Sequence, residues 1–222
     1  MHMIIASDLE GTLTTGETWR GVGHYAAQHG RAGAYRRYLA NHLPRVPLAK
    51  LGLLDRQRER YRWVEDLPAL LKGYTAYQLD GMAEWVIERE MWPKRRAAVI
   101  AELMQHQQNG ATIVLVSGTF QPILEAFAQR MKAAAIATPL ELKDGVSTGR
   151  LGGPLNVEQA KVDRIETWLA ASGAAGATID MMYGDTLGDL RMLEMCRTPV
   201  CVWPNPALRE IAHHRGWRIV DT

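Results

Sequence analysis

Apolar residues along this chain follow two patterns, short continuous runs and longer stretches in which they recur every three or four positions. Continuous runs rich in Val and Ile are typical of strands buried on both faces of a parallel sheet, whereas the longer spacing predicts helices with one apolar face. The runs predict strands at residues 4–7, 112–116, 179–183, 199–203 and 218–220. The helical spacing predicts several short helices within 18–90 and single helices at 93–109, 120–131, 158–169, 187–195 and 206–214.

The order of these elements predicts an α/β fold. Strands that alternate with helices form a parallel sheet, so we expect a three-layer, Rossmann-like core. The helical block between the first and second strands is too long for one crossover, and prolines divide it into short helices. We therefore expect an inserted, all-helical cap at residues 17–91 and a core of residues 1–16 and 92–222. A hairpin is expected around Asp144-Gly145.

Composition limits the classes of function that this chain can have. Its 222 residues suit one domain or one domain with an insert, and 47% hydrophobic with 23% charged residues is ordinary for a globular protein. A net charge of +2 gives no bulk attraction to nucleic acid or to a membrane surface, so neither partner is expected. The two cysteines form no disulfide framework, and the sequence has neither a signal peptide nor an apolar run of about 18 residues, which predicts a cytoplasmic protein.

Polar residues that could carry chemistry follow three of the predicted strands. Asp8 and Glu10 come directly after the first strand, where two nearby carboxylates are unfavourable unless a positive group offsets their charge. Ser117 and Gly118 follow the second strand and are expected to open a helix, where a hydroxyl and free backbone amides bind an anion well. Each pair also has an ordinary interpretation, as a turn aspartate in the first case and as a helix N-cap in the second.

The third strand end carries Asp185 and Asp189, four residues apart at the start of a helix. Like charges at this spacing repel each other, and a divalent cation such as Mg²⁺, which prefers hard oxygen ligands, would offset the repulsion. The alternative is that both acids cap the helix and complement its dipole. Lys161 begins another predicted helix, where it either points into water or reaches a phosphate beside the acids. Ligands of open α/β sheets bind beyond the carboxyl ends of the strands, where three of these groups are expected.

In this order, Asp8, Ser117, Lys161 and Asp185 resemble the four signatures of the haloacid dehalogenase-like (HAD) superfamily. The chain is similar to the phosphoserine phosphatase-like branch, through Asp-Leu-Glu-Gly-Thr at 8–12, Ser-Gly-Thr at 117–119 and Gly-Asp at 184–185. The resemblance covers residues 1–20 and 92–222, with weak detail in the cap. It implies a Mg²⁺-dependent phosphatase, monomeric or homodimeric, that acts on a small phosphorylated metabolite through an aspartyl-phosphate on Asp8.

The resemblance also implies a role for each charged residue. Asp8 is expected to be the nucleophile, Glu10 the general acid and base, and Lys161 the cation beside the phosphate. Mg²⁺ is expected to bind the Asp8 carboxylate, the Glu10 backbone carbonyl and Asp185. Asp189 is expected to hold a metal-bound water or to orient Lys161.

Phosphate and substrate contacts are implied in the same way. Ser117 and the Gly118 amide are expected to bind phosphate oxygens, helped by the backbone or hydroxyl of Thr12. Glu17 matches a glutamate that meets the substrate amino group in phosphoserine phosphatases, although it could equally complement a helix dipole. Other candidates in the cap are Arg56 or Arg58 for a substrate carboxylate and Tyr61, Trp63, Trp85 and Trp92 as pocket walls, although such aromatic residues are more often core.

Glu10 departs from the family pattern, which has aspartate at this position in most phosphatases. The longer side chain keeps the same chemistry with altered reach, so we expect Glu10→Asp to keep or raise hydrolysis. A phosphoserine:homoserine phosphotransferase of the same branch shares the Asp-Leu-Glu-Gly sequence, and a slow water step would favour transfer to an alcohol. Phosphotransfer through the same intermediate is therefore the alternative, and an inactive binding protein of the same fold is a third possibility.

Overall fold

The structure is a computed structural model that describes residues 3–221. Eight strands occur in this part of the chain: β1 (Ile4–Ser7), β2 (Thr112–Phe120), β3 (Ala134–Thr138), β4 (Leu140–Lys143), β5 (Val146–Leu151), β6 (Ile179–Gly184), β7 (Cys196–Val202) and β8 (Arg218–Val220). Six of them form a parallel sheet in the order β3-β2-β1-β6-β7-β8, and β4 with β5 forms a separate antiparallel hairpin. The expected parallel sheet and hairpin are thus confirmed.

Helices surround the sheet and fill the long connection between β1 and β2. Within residues 3–221 they are α1 (Thr18–Ala26), α2 (Ala32–His42), α3 (Arg45–Lys50), α4 (Arg56–Glu65), α5 (Ala76–Val86), α6 (Ala97–Gln108), α7 (Gln121–Met131), α8 (Gln159–Ala171), the short α9 (Leu190–Leu193) and α10 (Pro206–Arg215). Helices α1 to α5 lie within 17–91, together with short 3₁₀ and π turns, and that segment contains no strand. The segment is therefore helical, as its sequence pattern predicts.

Alternate residues of the parallel strands pack into two cores, one on each face of the sheet. Ile5 and Leu115 belong to the core that includes buried residues of α6 and α7, whereas Ala6 and Val114 belong to the core that includes those of α8, α9 and α10. Burial on both faces explains why these strands have continuous apolar runs. The three-layer α/β architecture is confirmed.

The chain leaves the sheet and returns to it at adjacent positions. The Thr14 hydroxyl donates to the Met91 carbonyl at 2.6 Å, and the Thr15 amide donates to the Lys94 carbonyl at 3.1 Å. The two ends of the helical connection between β1 and β2 are therefore held together by hydrogen bonds.

One strand was not predicted, and the bounds of three other elements differ from the sequence-based expectation. Strand β3 is alanine-rich and lacks the β-branched run that marks the other strands, so no pattern predicts it. Strand β7 begins at Cys196 rather than at 199, and β2 continues to Phe120. Helix α6 begins at Ala97 rather than at Pro93, because the Arg96 amide donates to the Leu13 carbonyl at 2.7 Å and ties this backbone to the loop after β1.

Two expectations about the environment of the chain can be compared with the structure. No helix within residues 3–221 combines the length and the apolar character that crossing a membrane requires. Cys196 and Cys201 are free thiols, and burial raises the pKa of each to about 11. Both thiols are therefore protonated and poorly nucleophilic near neutral pH.

A buried histidine in the cap predicts how stability depends on pH. The His42 ring is 3% exposed, packs on Trp63, and burial lowers its pKa below 6.5 although Asp66 opposes the shift. Below pH 6.5 the unfolded chain therefore binds a proton before the folded chain does, and this histidine makes the free energy of unfolding fall as the pH drops. We expect His42→Gln to reduce that fall between pH 7.5 and 5.5 in urea unfolding, and the exposed His29→Gln to leave it unchanged. Equal pH dependence in all three proteins would contradict the expectation.

Candidate active site

The carboxyl end of β1 lies at the topological switch point of the sheet. Strand β1 pairs with β2 on one side and with β6 on the other, so the strand order reverses at this point. Asp8 is the first residue after β1, and its amide donates to the Tyr183 carbonyl at 2.9 Å. Ser117 on β2 and Asp185 after β6 line the same cavity as Asp8. This is the position at which open α/β sheets bind ligands.

Lys161 joins two of the acids at this position. Its Nζ atom donates to Asp8 Oδ1 and to Asp189 Oδ1, at 2.6 Å in each case. Lys161, Asp8 and Asp189 are 3%, 5% and 3% exposed, so water screens these ion pairs poorly. Lys161 is the third residue of α8, a position near a helix N-terminus that disfavours a cation, and the two carboxylates offset that effect.

The cluster shifts the pKa values of its members in different directions. Burial raises the pKa of Asp8 to about 6, although Lys161 opposes the shift. Burial also raises the pKa of Asp185 to about 9, and the charges of Asp189 and Asp8 add to the effect. For Asp189, burial is outweighed by the Lys161 ammonium and by hydrogen bonds, which hold its pKa below the usual range. Lys161 likewise keeps its charge, because the two carboxylates outweigh its burial and raise its pKa.

Asp185 is the acid of the cluster with the fewest polar partners. Among the residues that the structure describes, its carboxylate accepts no hydrogen bond and forms no ion pair, whereas Asp189 uses Oδ1 for Lys161 and Oδ2 for the amides of Asp185 and Thr186. One carboxylate oxygen from each of Asp8, Asp185 and Asp189 lies within 4.8 Å of the other two. Carboxylate oxygens of the three acids are therefore close enough to ligate one cation, and hard carboxylate ligands of this kind fit Mg²⁺.

Gly11 allows the loop after β1 to approach Asp185 closely. Its φ is +89°, and a Cβ atom at this position would lie 2.0 Å from Asp185 Oδ2. A larger residue would therefore strain the backbone and displace the carboxylate. The Arg96 side chain holds the loop from the other side, because its Nε atom donates to the Gly11 carbonyl at 3.0 Å.

Ser117 and Gly118 lie in an irregular part of β2 rather than at a helix start, which corrects the sequence-based expectation. The pairing of β2 with β3 shifts register between Val116 and Phe120, and α7 begins only at Gln121. A bulge of this kind releases backbone groups from the sheet ladder and is common beside active sites. Ser117 and Gly118 both line the cavity, so the bulge, and not a helix N-terminus, presents them there.

Two buried side chains fix the carbonyl groups of this bulge. Asn156 Nδ2 donates to the Ser117 carbonyl at 3.0 Å and to the Ile136 carbonyl at 2.9 Å. The Thr138 hydroxyl donates to the Gly118 carbonyl at 2.9 Å and accepts from the Asn156 amide at 3.0 Å. Thr138 and Asn156 are both 0% exposed, so these bonds do not compete with water. The carbonyl side of the bulge is therefore held rigidly from inside the core.

We expect Thr138→Val to weaken anion binding at the bulge. Valine keeps the shape of the side chain but removes the bond to Gly118, and one such bond contributes about 1 kcal/mol, which corresponds to an affinity loss of roughly five- to tenfold. The measurement is the rise in melting temperature caused by inorganic phosphate in the presence of Mg²⁺. Thr138→Ser keeps the hydroxyl and is expected to bind phosphate like the parent chain. Equal phosphate affinity in the Val and Ser variants would show that the bond does not position the bulge.

Glu10 is bound to the first cap helix. Its Oε1 atom accepts from the Thr18 amide at 2.8 Å and from the Thr18 hydroxyl, which also contacts the Thr119 hydroxyl at 2.5 Å. Burial raises the pKa of Glu10 to about 7, although the two bonds from Thr18 oppose the shift. A carboxyl group with this pKa can hold or release a proton near neutral pH, which suits a general acid and base.

Two further residues, Glu17 and Thr12, are predicted from the sequence to contact the substrate or its phosphate, and the structure places them differently. Glu17 lines the cavity and forms an ion pair with Arg20 at 3.2 Å. Thr12 is fully buried and is not among the residues that line the cavity, and its hydroxyl has no hydrogen-bond partner within residues 3–221. The structure therefore brings Glu17 to the site but not the Thr12 side chain.

The cap contributes a wall that the sequence predicts only in part. The cavity has a volume of about 280 Å³, and its lining from the cap is Glu17, Trp19, Gln57, Arg60, Tyr61, Trp63 and Val64. Arg56 and Arg58 do not line it, because Arg56 donates to the Ala49 and Lys50 carbonyls and Arg58 pairs with Glu65. The cap arginine at the cavity is Arg60, and Trp85 and Trp92 lie elsewhere. The spacing of 57, 60, 61 and 64 on one face of α4 was the available signal.

The chain is similar to known proteins along most of its length. The family model for haloacid dehalogenase-like hydrolases matches residues 5–194. The phosphoserine phosphatase SerB1 of Mycobacterium tuberculosis is 28% identical over 159 residues, which are 69% of this chain and 50% of SerB1. The chain thus spans about half the length of such curated relatives.

Solved structures give the same comparison for the fold. A protein of unknown function from Bordetella pertussis Tohama I has 26% identity and a TM-score of 0.83, covering 100% of this chain and 99% of its own. A phosphoserine phosphatase solved as a phospho-aspartyl intermediate analogue has 20% identity and a TM-score of 0.67, covering 100% of this chain and 94% of its own. The second likeness concerns the fold alone.

Proposed function

Because the chain belongs to the haloacid dehalogenase-like hydrolase family, we propose that it is a magnesium-dependent phosphatase that acts on a small phosphorylated metabolite through an aspartyl-phosphate on Asp8. In this proposal residues 17–91 form a cap over a core of residues 1–16 and 92–222. The observation that supports the proposal is the arrangement of Asp8, which binds Lys161 through one carboxylate oxygen and lies in one acidic cluster with Asp185 and Asp189.

The chemistry follows from the positions of two carboxyl groups. The free oxygen of Asp8 attacks phosphorus, the bond from phosphorus to the substrate oxygen breaks, and the leaving oxygen takes the proton of Glu10. A water molecule then attacks the same phosphorus, gives a proton to the Glu10 carboxylate, and the bond from phosphorus to Asp8 breaks. One water is consumed, an alcohol and orthophosphate are released, and Asp8 and Glu10 return to their starting states.

The other residues supply charge and orientation. Mg²⁺ would be held by Asp8, Asp185 and the Glu10 backbone carbonyl, and it supplies neutralisation of the phosphate charge. Lys161 contributes a second positive charge beside Asp8, and Asp189 holds Lys161 in place through a 2.6 Å bond. The Ser117 hydroxyl and the Gly118 amide bind phosphate oxygens at the bulge of β2.

A simple assay tests this proposal. The purified chain is given p-nitrophenyl phosphate and a panel of phosphorylated metabolites, with Mg²⁺ or with EDTA, and released phosphate is measured. We expect turnover with Mg²⁺ and its loss in EDTA, with recovery when Mg²⁺ is restored. Turnover that is indifferent to EDTA, or no turnover of any ester with Mg²⁺, would refute the proposal and favour a binding role.

Substitution of Glu10 tests whether its hydrogen bonds with Thr18 fix the position of the acid. The contacts with Thr18 change the expectation drawn from the sequence, because an aspartate at position 10 is one methylene shorter and does not reach them. A misplacement near 1 Å costs on the order of 100-fold in rate. We therefore expect Glu10→Asp to lower kcat for phosphate release by roughly 10- to 100-fold. Retained or increased hydrolysis would mean that Thr18 does not fix the acid.

Phosphotransfer to an alcohol remains the second candidate, because Glu10 replaces the aspartate that most phosphatases carry. The same assay with added homoserine or glycerol measures it, and a transferase diverts phosphate from water to the added alcohol. Unchanged phosphate release at high alcohol concentration would exclude this alternative.

A further inference from the structure

Part of the cavity lining is built from aromatic and aliphatic side chains. Trp19 from α1 and Trp63 from α4 meet edge to face, with ring centroids 4.7 Å apart, and both line the cavity. The rest of this apolar wall consists of Val64 from the cap and Leu155 and Val157 from the core. Such a surface binds an apolar group because it removes that group from water.

The polar groups of the same wall are largely engaged with each other. The Tyr61 hydroxyl donates to Glu158 at 2.9 Å and accepts from the amide nitrogen of Gln57. Glu17 is paired with Arg20, so its charge is partly neutralised before any substrate enters. Among the residues described, Arg60 is the charged cap residue at the cavity without an ion pair or hydrogen bond of its own. A small polar alcohol would therefore find few unengaged partners beyond Arg60.

The indole pair is held by its own packing and is not free to collapse into the cavity. Trp63 contacts the rings of Tyr38 and His42 at centroid distances of 5.6 and 4.9 Å, and its carbonyl accepts from the Tyr38 hydroxyl at 2.5 Å. Both indoles pack against the main apolar core while remaining half-buried. Their cavity-facing surfaces are thus preorganised, which lowers the cost of binding a flat group.

From this wall we infer that the alcohol part of the substrate carries an apolar ring that packs on Trp19 and Trp63, so that the site prefers ring-bearing phosphomonoesters to small polar ones such as phosphoserine. The inference rests on the proposed phosphatase function and specifies its substrate class. The phosphate lies at Asp8 and the bulge of β2, and the ring lies between the phosphate and the two cap helices. Edge-to-face and stacked contacts with an indole contribute to binding beyond the apolar area that they bury.

The experiment compares two esters of primary alcohols that differ in the ring. Ethyl phosphate and 2-phenylethyl phosphate are given to the full chain with Mg²⁺, and kcat/KM is measured for each. We expect the ring-bearing ester to be preferred by roughly 10- to 100-fold, the scale set by burying one apolar group in a pocket. In Trp19→Ala and in Trp63→Ala the ratio of the two values is expected to fall toward one. Trp85→Ala, which removes an indole that does not line the cavity, is the matched control and should keep the ratio.

Each outcome separates the inference from the function on which it rests. If ethyl phosphate is hydrolysed as well as the phenylethyl ester, the inference is refuted while the phosphatase proposal stands. If the preference exists but neither cavity tryptophan changes it, the assignment to the indole pair is refuted. If no ester, including p-nitrophenyl phosphate, is turned over, both fail together. The ratio in the parent chain decides the substrate class even if an alanine variant does not fold.

Discussion

Asp8→Asn is expected to abolish Mg²⁺-dependent turnover of p-nitrophenyl phosphate, with a loss in kcat of about 10⁴-fold or more. Asparagine keeps the shape of the side chain but removes the anionic oxygen that attacks phosphorus, so no covalent intermediate can form. It also removes one of the two carboxylates that bind Lys161. The measurement is initial phosphate release, together with a test for a trapped phospho-enzyme after rapid acid quenching.

The matched control for this experiment is Asp144→Asn. Asp144 is exposed at the hairpin turn with a φ of +52°, a conformation that asparagine adopts readily, so the substitution removes the same charge far from the site. We expect parental activity from the control and a parental circular dichroism spectrum from both variants. Near-parental turnover in a folded Asp8→Asn protein would exclude the aspartyl-phosphate mechanism.

The second large effect is expected from Lys161→Met, measured as stability. This substitution leaves the buried Asp8 and Asp189 without their cation, since Lys161 is the partner of both. Each carboxyl group must then stay charged without a partner or take up a proton, and both outcomes cost free energy at pH 8. Removing one member of a buried ion pair costs about 3–5 kcal/mol, because the remaining charge is left uncompensated. For a chain of this length that corresponds to a fall in melting temperature of roughly 6–20 °C.

The change in melting temperature on adding Mg²⁺ is an independent measurement on the Lys161→Met variant. Without the Lys161 ammonium the site has one positive charge fewer beside Asp8 and Asp189, so added Mg²⁺ should raise the melting temperature of the variant more than it raises that of the parent chain. Lys143→Met, on the exposed part of β4, is the control and should change the free energy of unfolding by less than about 0.5 kcal/mol. A Lys161→Met protein as stable as this control, with no added response to Mg²⁺, would contradict the role of Lys161 as the cation that stabilises the buried acids.

The part of the site that comes from strand ends could be predicted from the sequence, whereas the part that comes from the cap could be predicted only in part, through Glu17, Tyr61 and Trp63. Asp8 and Asp185 each follow a buried apolar run, and the topology of a parallel sheet then places the ends of such runs together. Arg60 and Trp19 lie on α4 and α1, and their positions are not fixed by the end of a sheet strand. Which face of α4 meets the cavity depends on packing against α1 and the core, and the sequence therefore suggested Arg56 or Arg58 instead of Arg60.

At the bulge of β2, the sequence likewise predicted the residues of the site but not the contacts that position them. Ser117 and Gly118 were identified by their order along the chain, but a helix N-terminus was the expected reason for their role. The actual support comes from Thr138 and Asn156, 20 and 39 residues away from the carbonyls that they bind. No local pattern marks those two residues, because the hydrogen bonds form only when β3 and the segment before α8 pack beside β2.

The sequence by itself determined the layered α/β core, the helical nature of residues 17–91 and the identities of the acids and lysine that meet at the sheet edge, because hydrophobic periodicity and residue chemistry are local properties of the chain. The tertiary structure alone decided the partners of Lys161, the hydrogen bonds between Glu10 and Thr18, and the places of Trp19 and Arg60 at the cavity. These depend on distances between side chains that are remote in sequence, and such distances are set only when the two cores are packed on the faces of the sheet.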